Sequence, residues 1–262
     1  MKIKVLGCNG GIIPGTKPPS FLINDEILID AGHVASELTV DQQDKVRQVF
    51  ITHFHLDHTK DLAFLSDNAF ERRGLPITVY GSKATISDFK NFFFNDHTWP
   101  DFTKIRSGKN SVVRLQELIP NMDRKVVGKT SEITVRPFPV NHSVDAFGYL
   151  VIEGESSVIF SGDTGPVDKI WEIANTEALN LNRLKAIFIE TSFPSNLQRV
   201  ADASCHLTPN TLRKELEKFK TEGIPIYLYH LKPRYYKIIR GEIEAMKNDD
   251  ISILENDQVF TF

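Results

Sequence analysis

Val46-Arg47-Gln48-Val49-Phe50-Ile51-Thr52 leads directly into His53-Phe54-His55-Leu56-Asp57-His58. A run this apolar reads as a buried strand, and a strand delivers its last side chains to one edge of a sheet. Three imidazoles and a carboxylate at that edge converge without the chain bending back on itself, which is the donor set of a metal centre. Alternating and adjacent spacing lets them divide between two ions, His53 and His55 facing one, Asp57 and His58 the other. The alternative is a solvated His-rich turn. Against it, further ligand-type residues recur downstream at strand ends.

The same strand pattern occurs twice. Ser20 to Asn24 and Ile27 to Asp30 form a hairpin around Asp25-Glu26 that closes on Asp30-Ala31-Gly32. Gly148 to Ile152 and Ser157 to Phe160 form another around Glu153-Gly154-Glu155 that closes on Asp163-Thr164-Gly165. Val46 to Thr52 is matched in the second half by Leu184-Lys185-Ala186-Ile187-Phe188-Ile189-Glu190. Two β-rich halves related by duplication are expected, their strands too apolar to leave a face in water. Such strands require two packed sheets covered by helices outside.

Length and charge narrow the function. With 262 residues, 41% of them hydrophobic, the chain can bury one large core, and one domain over 1–262 is expected. A net charge of -3 supplies no basic footprint for a nucleic-acid polymer. Cys8 and Cys205 are too few for a disulfide framework, Met1 to Gly7 reads as a first strand rather than a signal peptide, and no stretch could span a membrane, so a cytoplasmic setting is expected. Gly7-Cys8-Asn9-Gly10-Gly11 reads either as a turn that lets backbone approach a ligand or as a tight structural turn.

Thr208 caps a helix with Pro209 in its first position and Leu212, Leu216 and Phe219 along one stripe. A last helix is expected from about Tyr235 to Lys247, with an edge strand from Val259 to Phe262. Between the halves, Phe89, Phe92, Phe93, Phe94, Trp99 and Phe102 fall in a segment that reads as an inserted helical subdomain over about 85–122. These aromatics suit a satellite core, a homodimer contact, or base stacking. Pro100 disfavours helical geometry at Trp99 and so projects that ring from a loop, where it could border a base.

The remaining ligand candidates also end apolar strands: His142 after Ile133 to Val140, Asp163 after the second hairpin, His230 after Ile226 to Tyr229. They complete two shells, His53, His55 and His142 on one ion and Asp57, His58 and His230 on the other, with Asp163 bridging. An all His and Asp environment suits Zn2+ and tolerates Mn2+ or Fe2+. Two such ions, typically about 3.5–4 Å apart, activate water and clamp the oxygens of an in-line displacement, which fits phosphoester hydrolysis. Asp57 can orient the nucleophile or accept its proton. Glu190 and His206 can supply the acid for the leaving alkoxide, or be a structural Glu beside a cap-region His. Lys232 and Arg234 can offset phosphate charge or lie on a solvated loop.

His53 to His58, Trp99-Pro100-Asp101-Phe102, Phe160 to Pro166, Ile187 to Pro194, His206-Leu207-Thr208-Pro209 and His230-Leu231-Lys232-Pro233 together resemble the class II cyclic-nucleotide phosphodiesterases of the metallo-β-lactamase superfamily. The resemblance implies an α/β (α+β) fold, the four-layer αβ/βα sandwich of two mixed β-sheets with outer helices. It also implies hydrolysis of 3',5'-cyclic AMP or GMP to the 5'-monophosphate at a dinuclear, usually zinc, centre on the residues just named. The chain departs from the family at Thr59-Lys60-Asp61 and Ser66-Asp67, which bear on the cleft wall. Elements around Glu190-Thr191, His206-Leu207-Thr208 and His230 with Arg234-Tyr235 are also similar to tRNA 3'-processing endonucleases, but those need a basic arm that this composition does not provide. A catalytically silent nucleotide-binding protein is the reading from outside the enzymes.

Overall fold

The computed structural model describes residues 1–70, 75–128 and 131–262. Its frame is two seven-stranded mixed sheets. The first runs Val259–Thr261, Lys2–Gly7, Ser20–Ile23, Ile27–Ile29, Gln48–Phe50, Ile77–Gly81, Val113–Glu117. The second runs Arg124–Val127, Glu132–Pro139, Phe147–Glu153, Ser156–Phe160, Leu184–Glu190, Ile226–Tyr229, Ile251–Ile253. In this order both sheets begin with antiparallel pairings and end with parallel ones, switching at the same place, after the hairpin. The repeated sequence pattern therefore has a repeated topology.

Period-two alternation builds three apolar layers from these strands. Ala186 and Phe188 of Leu184–Glu190 face the first sheet, where they join Phe21, Phe50, Tyr149, Phe160 and Tyr229 in the core between the sheets. Phe160 and Phe188 stack at 4.8 Å, and Phe21 lies 4.9 Å from Phe160. Ile187 and Ile189 of the same strand point outward onto Ile170, Trp171, Leu212 and Ile239 of the covering helices, joined by Leu184 where the register shifts at the start of the strand. Val49 and Ile51 do the same on the first sheet, against Leu62, Leu65 and Phe89. Strands buried on both faces are what the continuous apolar runs require.

The expected elements form with shifted ends. The strand within Val46 to Thr52 is confined to Gln48–Phe50, the helix after Thr208 is Pro209–Leu216, and the last helix is Tyr236–Glu244 after a short 3-10 turn. Val259–Thr261 is the expected edge strand, paired with Lys2–Gly7. Thr208 caps as its sequence context requires, its hydroxyl accepting from the Thr211 amide at 3.2 Å.

The segment 85–122 is not a helical subdomain throughout. Helix Lys83–Asp88 continues as a π-helical turn over Phe89–Phe93, after which come a two-stranded ribbon and Val113–Glu117, an edge strand of the first sheet. Pro100 and Gly108 interrupt any helix, and the alternation of buried Val113 with exposed Arg114 belongs to a strand. Apart from Phe92, which is exposed, its aromatics pack under the first sheet: Phe89 and Phe93 meet Phe54 edge-on at 5.0 and 6.4 Å, buttressing the residue between His53 and His55. Trp99 packs into the same cluster and lies 5.5 Å from Phe64. This packing predicts that Trp99→Ala lowers stability by about 1–3 kcal/mol, less than a fully buried aromatic would, with the Michaelis constant of the reaction at the strand-end cluster changed less than about twofold. A rise of about tenfold at unchanged melting temperature, the worth of a lost base stack, would place the ring at the substrate instead.

Candidate active site

The site lies where strands of both sheets end. The chain leaves Gln48–Phe50 through Ile51, Thr52 and His53, and His55 then precedes the short helix Leu56–Thr59, which carries Asp57 and His58. Asp30, at the end of the first hairpin with φ +59°, fixes this turn. Its Oδ1 accepts from the Thr52 amide at 2.8 Å and the Thr52 hydroxyl at 3.0 Å, and its Oδ2 accepts from His58 Nδ1 at 2.7 Å. The Ala31 amide then donates to the carbonyl of His58 at 2.7 Å. Asp30 was not among the site residues read from the sequence, although it closes its hairpin as Asp163 closes the second.

The second sheet brings Asp163, Glu190 and His230 to the same edge. Asp163 Oδ2 lies 3.8 Å from His53 Nε2, 3.4 Å from His58 Nε2 and 3.2 Å from His230 Nε2. His230 Nε2 is also 3.3 Å from Asp57 Oδ2. His55 Nδ1 lies 2.9 Å from His53 Nε2 and 3.4 Å from His142 Nε2. His53, His55 and His142 thus form one group, and Asp57, His58 and His230 another, with their ligand atoms within 4.8 Å of one another in each. Asp163 lies between the groups.

His230 adopts φ +63°, a conformation strained for a side chain with Cβ, and the Gly7 to Gly11 turn holds it there. The His230 amide donates to the Cys8 carbonyl at 2.7 Å, and a Cβ on Gly10 would stand 2.2 Å from the His230 carbonyl oxygen. The glycine is needed for backbone contact with His230. Gly10→Ala should therefore cost about 1–3 kcal/mol, the range for overpacking a tight contact. Unfolding by urea would check it, and unchanged stability would mean that the turn does not constrain His230.

The donor arrangement fits divalent cations. The Asp30 carboxylate and the Cys205 carbonyl can only accept, so His58 Nδ1 and His142 Nδ1 donate to them, and in each ring Nε2 is the nitrogen turned inward that could bind a cation. Among the described residues, His58 Nε2 and Asp163 Oδ1 are buried without a hydrogen-bond partner. Burial, followed by the positive potential of His58, holds the imidazole of His53 well below its usual pKa, and burial lowers His55 and His142. Burial works against charge on His58, but Asp163 and Asp30 outweigh it and raise its pKa well above the usual value. Burial would also neutralise Asp163, but His230 and His58 hold its carboxyl well below the carboxylate range. The carboxylates thus draw positive charge to His58 while His53, His55 and His142 stay unprotonated, so a cation could take the place of the His58 proton and be met by free imidazole nitrogens.

Beside the cluster, His206 Nδ1 donates to Glu190 Oε1 at 2.6 Å. Glu190 is fully buried and also accepts from the Thr164 amide at 3.0 Å. Burial opposes protonation of His206, but Glu190 outweighs it and raises the pKa. Lys232 precedes the 3-10 turn Pro233–Tyr235 and lies near enough to oppose that charge, whereas Arg234 is exposed within the turn. The structure brings Asp57, Glu190 and His206 to one edge with the histidines. Trp99 packs elsewhere, in the cluster described above.

The sequence profile of the class II cAMP phosphodiesterases matches residues 33–231. A probable 3',5'-cyclic-nucleotide phosphodiesterase of Yersinia pestis is 26% identical, the alignment covering 98% of this chain and 87% of that protein. Unliganded yeast PDE1 superposes with a TM-score of 0.83 at 20% identity, over 98% of both chains. The metallo-β-lactamase fold protein YhfI of Bacillus subtilis superposes with a TM-score of 0.75 at 18% identity, over 99% of both. The two superpositions make the sandwich a metallo-β-lactamase fold. The profile, spanning both the His53 to His58 motif and His230, makes the chain a member of the class II cAMP phosphodiesterase family.

Proposed function

We propose that the protein hydrolyses a 3',5'-cyclic nucleotide, cyclic AMP or cyclic GMP, to the 5'-monophosphate, and that the reaction depends on two divalent ions, Zn2+ being the best match. The observation that carries this is the placement of Asp163 between the His53, His55, His142 group and the Asp57, His58, His230 group, with the Glu190–His206 pair beside it. The two groups would each hold one ion, with Asp163 shared. Ions held there supply Lewis acidity that lowers the pKa of water and offsets charge on the phosphate.

The chain's own residues supply the rest. Burial works to raise the pKa of Asp57, but its hydrogen bond with His230 and the positive potential of His58 outweigh it, so the carboxylate is ionised and able to take the proton of the attacking water. As the oxygen of that water bonds to phosphorus, the bond from phosphorus to O3' breaks. His206, its Nδ1 occupied by Glu190, gives the proton on Nε2 to the departing O3'. Lys232 offsets charge on the phosphate, and Arg234 is assigned to the same face. A turnover panel of cyclic AMP, cyclic GMP, a cyclic dinucleotide and bis-nitrophenyl phosphate tests the reading. Turnover of the cyclic mononucleotides well above the others is expected, and cleavage of a tRNA precursor with none of cyclic AMP or GMP would overturn it.

A further inference from the structure

Ser192 stands at a junction that none of the roles above uses. It is fully buried, two residues beyond Glu190. Its hydroxyl donates to Glu190 Oε2 at 3.0 Å. That uses the only proton it has, so the contact with His230 Nδ1 at 2.8 Å must run the other way, the imidazole donating to Ser192 Oγ. With Nδ1 committed as a donor, Nε2 is the nitrogen of His230 that faces Asp57 and Asp163, and the one left to bind a cation in exchange for its proton. His206 Nδ1 is also 3.2 Å from the same hydroxyl while donating to Glu190 Oε1. The backbone of Ser192 joins the same segments, its amide donating to the Leu207 carbonyl at 3.1 Å and its carbonyl accepting from the Lys232 amide at 3.2 Å.

We propose that Ser192 is a positioning residue that sets the tautomer of His230 and, through Glu190, the orientation of His206, so that the ligand group and the proton donor are aligned by one hydroxyl. The proposal rests on the functional reading above. It assigns no contact with substrate to Ser192. Without the hydroxyl, His230 Nδ1 has no acceptor at that position and its ring is free to turn or to move its proton to Nε2, which cannot then bind a cation. Glu190 loses one of its donors at the same time, so both arms weaken together.

Ser192→Ala and Ser192→Thr test this in the full-length protein, the second retaining the hydroxyl and so expected to restore what the first loses. Zn2+ is titrated into the metal-free proteins against a chromophoric chelator, melting temperatures are recorded, and turnover is measured at saturating Zn2+ on cyclic AMP and on bis-nitrophenyl phosphate. For Ser192→Ala the account expects the weaker Zn2+ affinity to fall about 10–100-fold, the usual range for removing the partner of a ligating histidine. It also expects turnover of cyclic AMP to fall further than turnover of the nitrophenyl ester, whose leaving group needs less protonation. Unchanged Zn2+ affinity in a folded Ser192→Ala variant would overturn the proposal, whatever its melting temperature. So would equal losses on the two esters. If Ser192→Ala does not fold, Ser192→Thr decides by the same affinities: wild-type Zn2+ binding supports the hydroxyl's role, and weakened binding in a folded Thr variant counts against it. Should the wild type hydrolyse neither ester, the functional reading fails, while the Zn2+ titration still decides the tautomer role.

Discussion

Asp163→Ala is expected to lose bound metal and to lower turnover by more than about 10³-fold, because both groups of histidines converge on one carboxylate and the Lewis acidity it helps to hold is worth several kcal/mol of transition-state stabilisation. The expectation follows from three contacts at once. Oδ2 reaches His53, His58 and His230, and Oδ1 is buried without a hydrogen-bond partner among the described residues. Losing this residue therefore weakens both shells and removes one of the carboxylates that hold positive charge at His58, leaving its contacts with Asp30 and Asp57. Metal per protein chain by mass spectrometry, read beside a circular dichroism melt, separates loss of metal from loss of fold. A folded Asp163→Ala protein with the metal content of the wild type would remove Asp163 from its shared position.

His206→Ala is expected to act differently. Turnover of cyclic AMP should fall by roughly 10²–10⁴-fold, the range for removing a general acid, with metal content unchanged. The ring is tied at Nδ1 to a buried carboxylate and carries a raised pKa, so its remaining nitrogen is a proton source beside His142 and Asp163. A nitrophenolate leaves without needing a full proton, so the loss on bis-nitrophenyl phosphate should be smaller by at least about tenfold. Equal losses on both substrates would assign His206 to structure rather than to proton transfer.

Much of this arrangement was legible because a sheet edge gathers the ends of strands that are far apart in sequence. His53, His55, Asp57 and His58 follow one apolar run, and His142, Asp163 and His230 each follow another; parallel pairing aligns the ends of the strands before His53, Asp163 and His230 with those of their neighbours, and the antiparallel pairs Pro139 with Phe147 and Tyr149 with Phe160 bring the end of the strand before His142 to the same edge. Asp30 carried the same signal. It ends Ile27–Ile29 as Asp163 follows Ser156–Phe160, but the reading gave ligand status only to the second, and the role of Asp30 is instead to orient His58.

Ser192 left no comparable trace. A serine's hydrogen bonds depend on which of several buried partners the fold sets beside it, and neither periodicity nor spacing encodes that. The segment 85–122 failed for a different reason. Clustered phenylalanines over Phe89–Phe93 do form a helical turn, but the strand signal of Val113–Glu117 is short, and the tertiary pairing with Ile77–Gly81 decides it. The glycines of the Gly7 to Gly11 turn were read with two uses open. The close approach of Gly10 to the His230 carbonyl makes the turn a support for the site's backbone.

The central claim is metal-dependent opening of the 3',5'-cyclic phosphate at O3', and one measurement addresses it most directly. The protein is stripped with a chelator, reloaded with measured equivalents of Zn2+, and incubated with cyclic AMP in 18O-labelled water, and the product is identified by mass spectrometry. The account predicts no turnover in the stripped protein, activity that rises with Zn2+ to about two equivalents, as a two-ion clamp requires, and 5'-AMP carrying one labelled oxygen on its phosphate. Full activity in the stripped protein, or a 3'-monophosphate as the product, would contradict it.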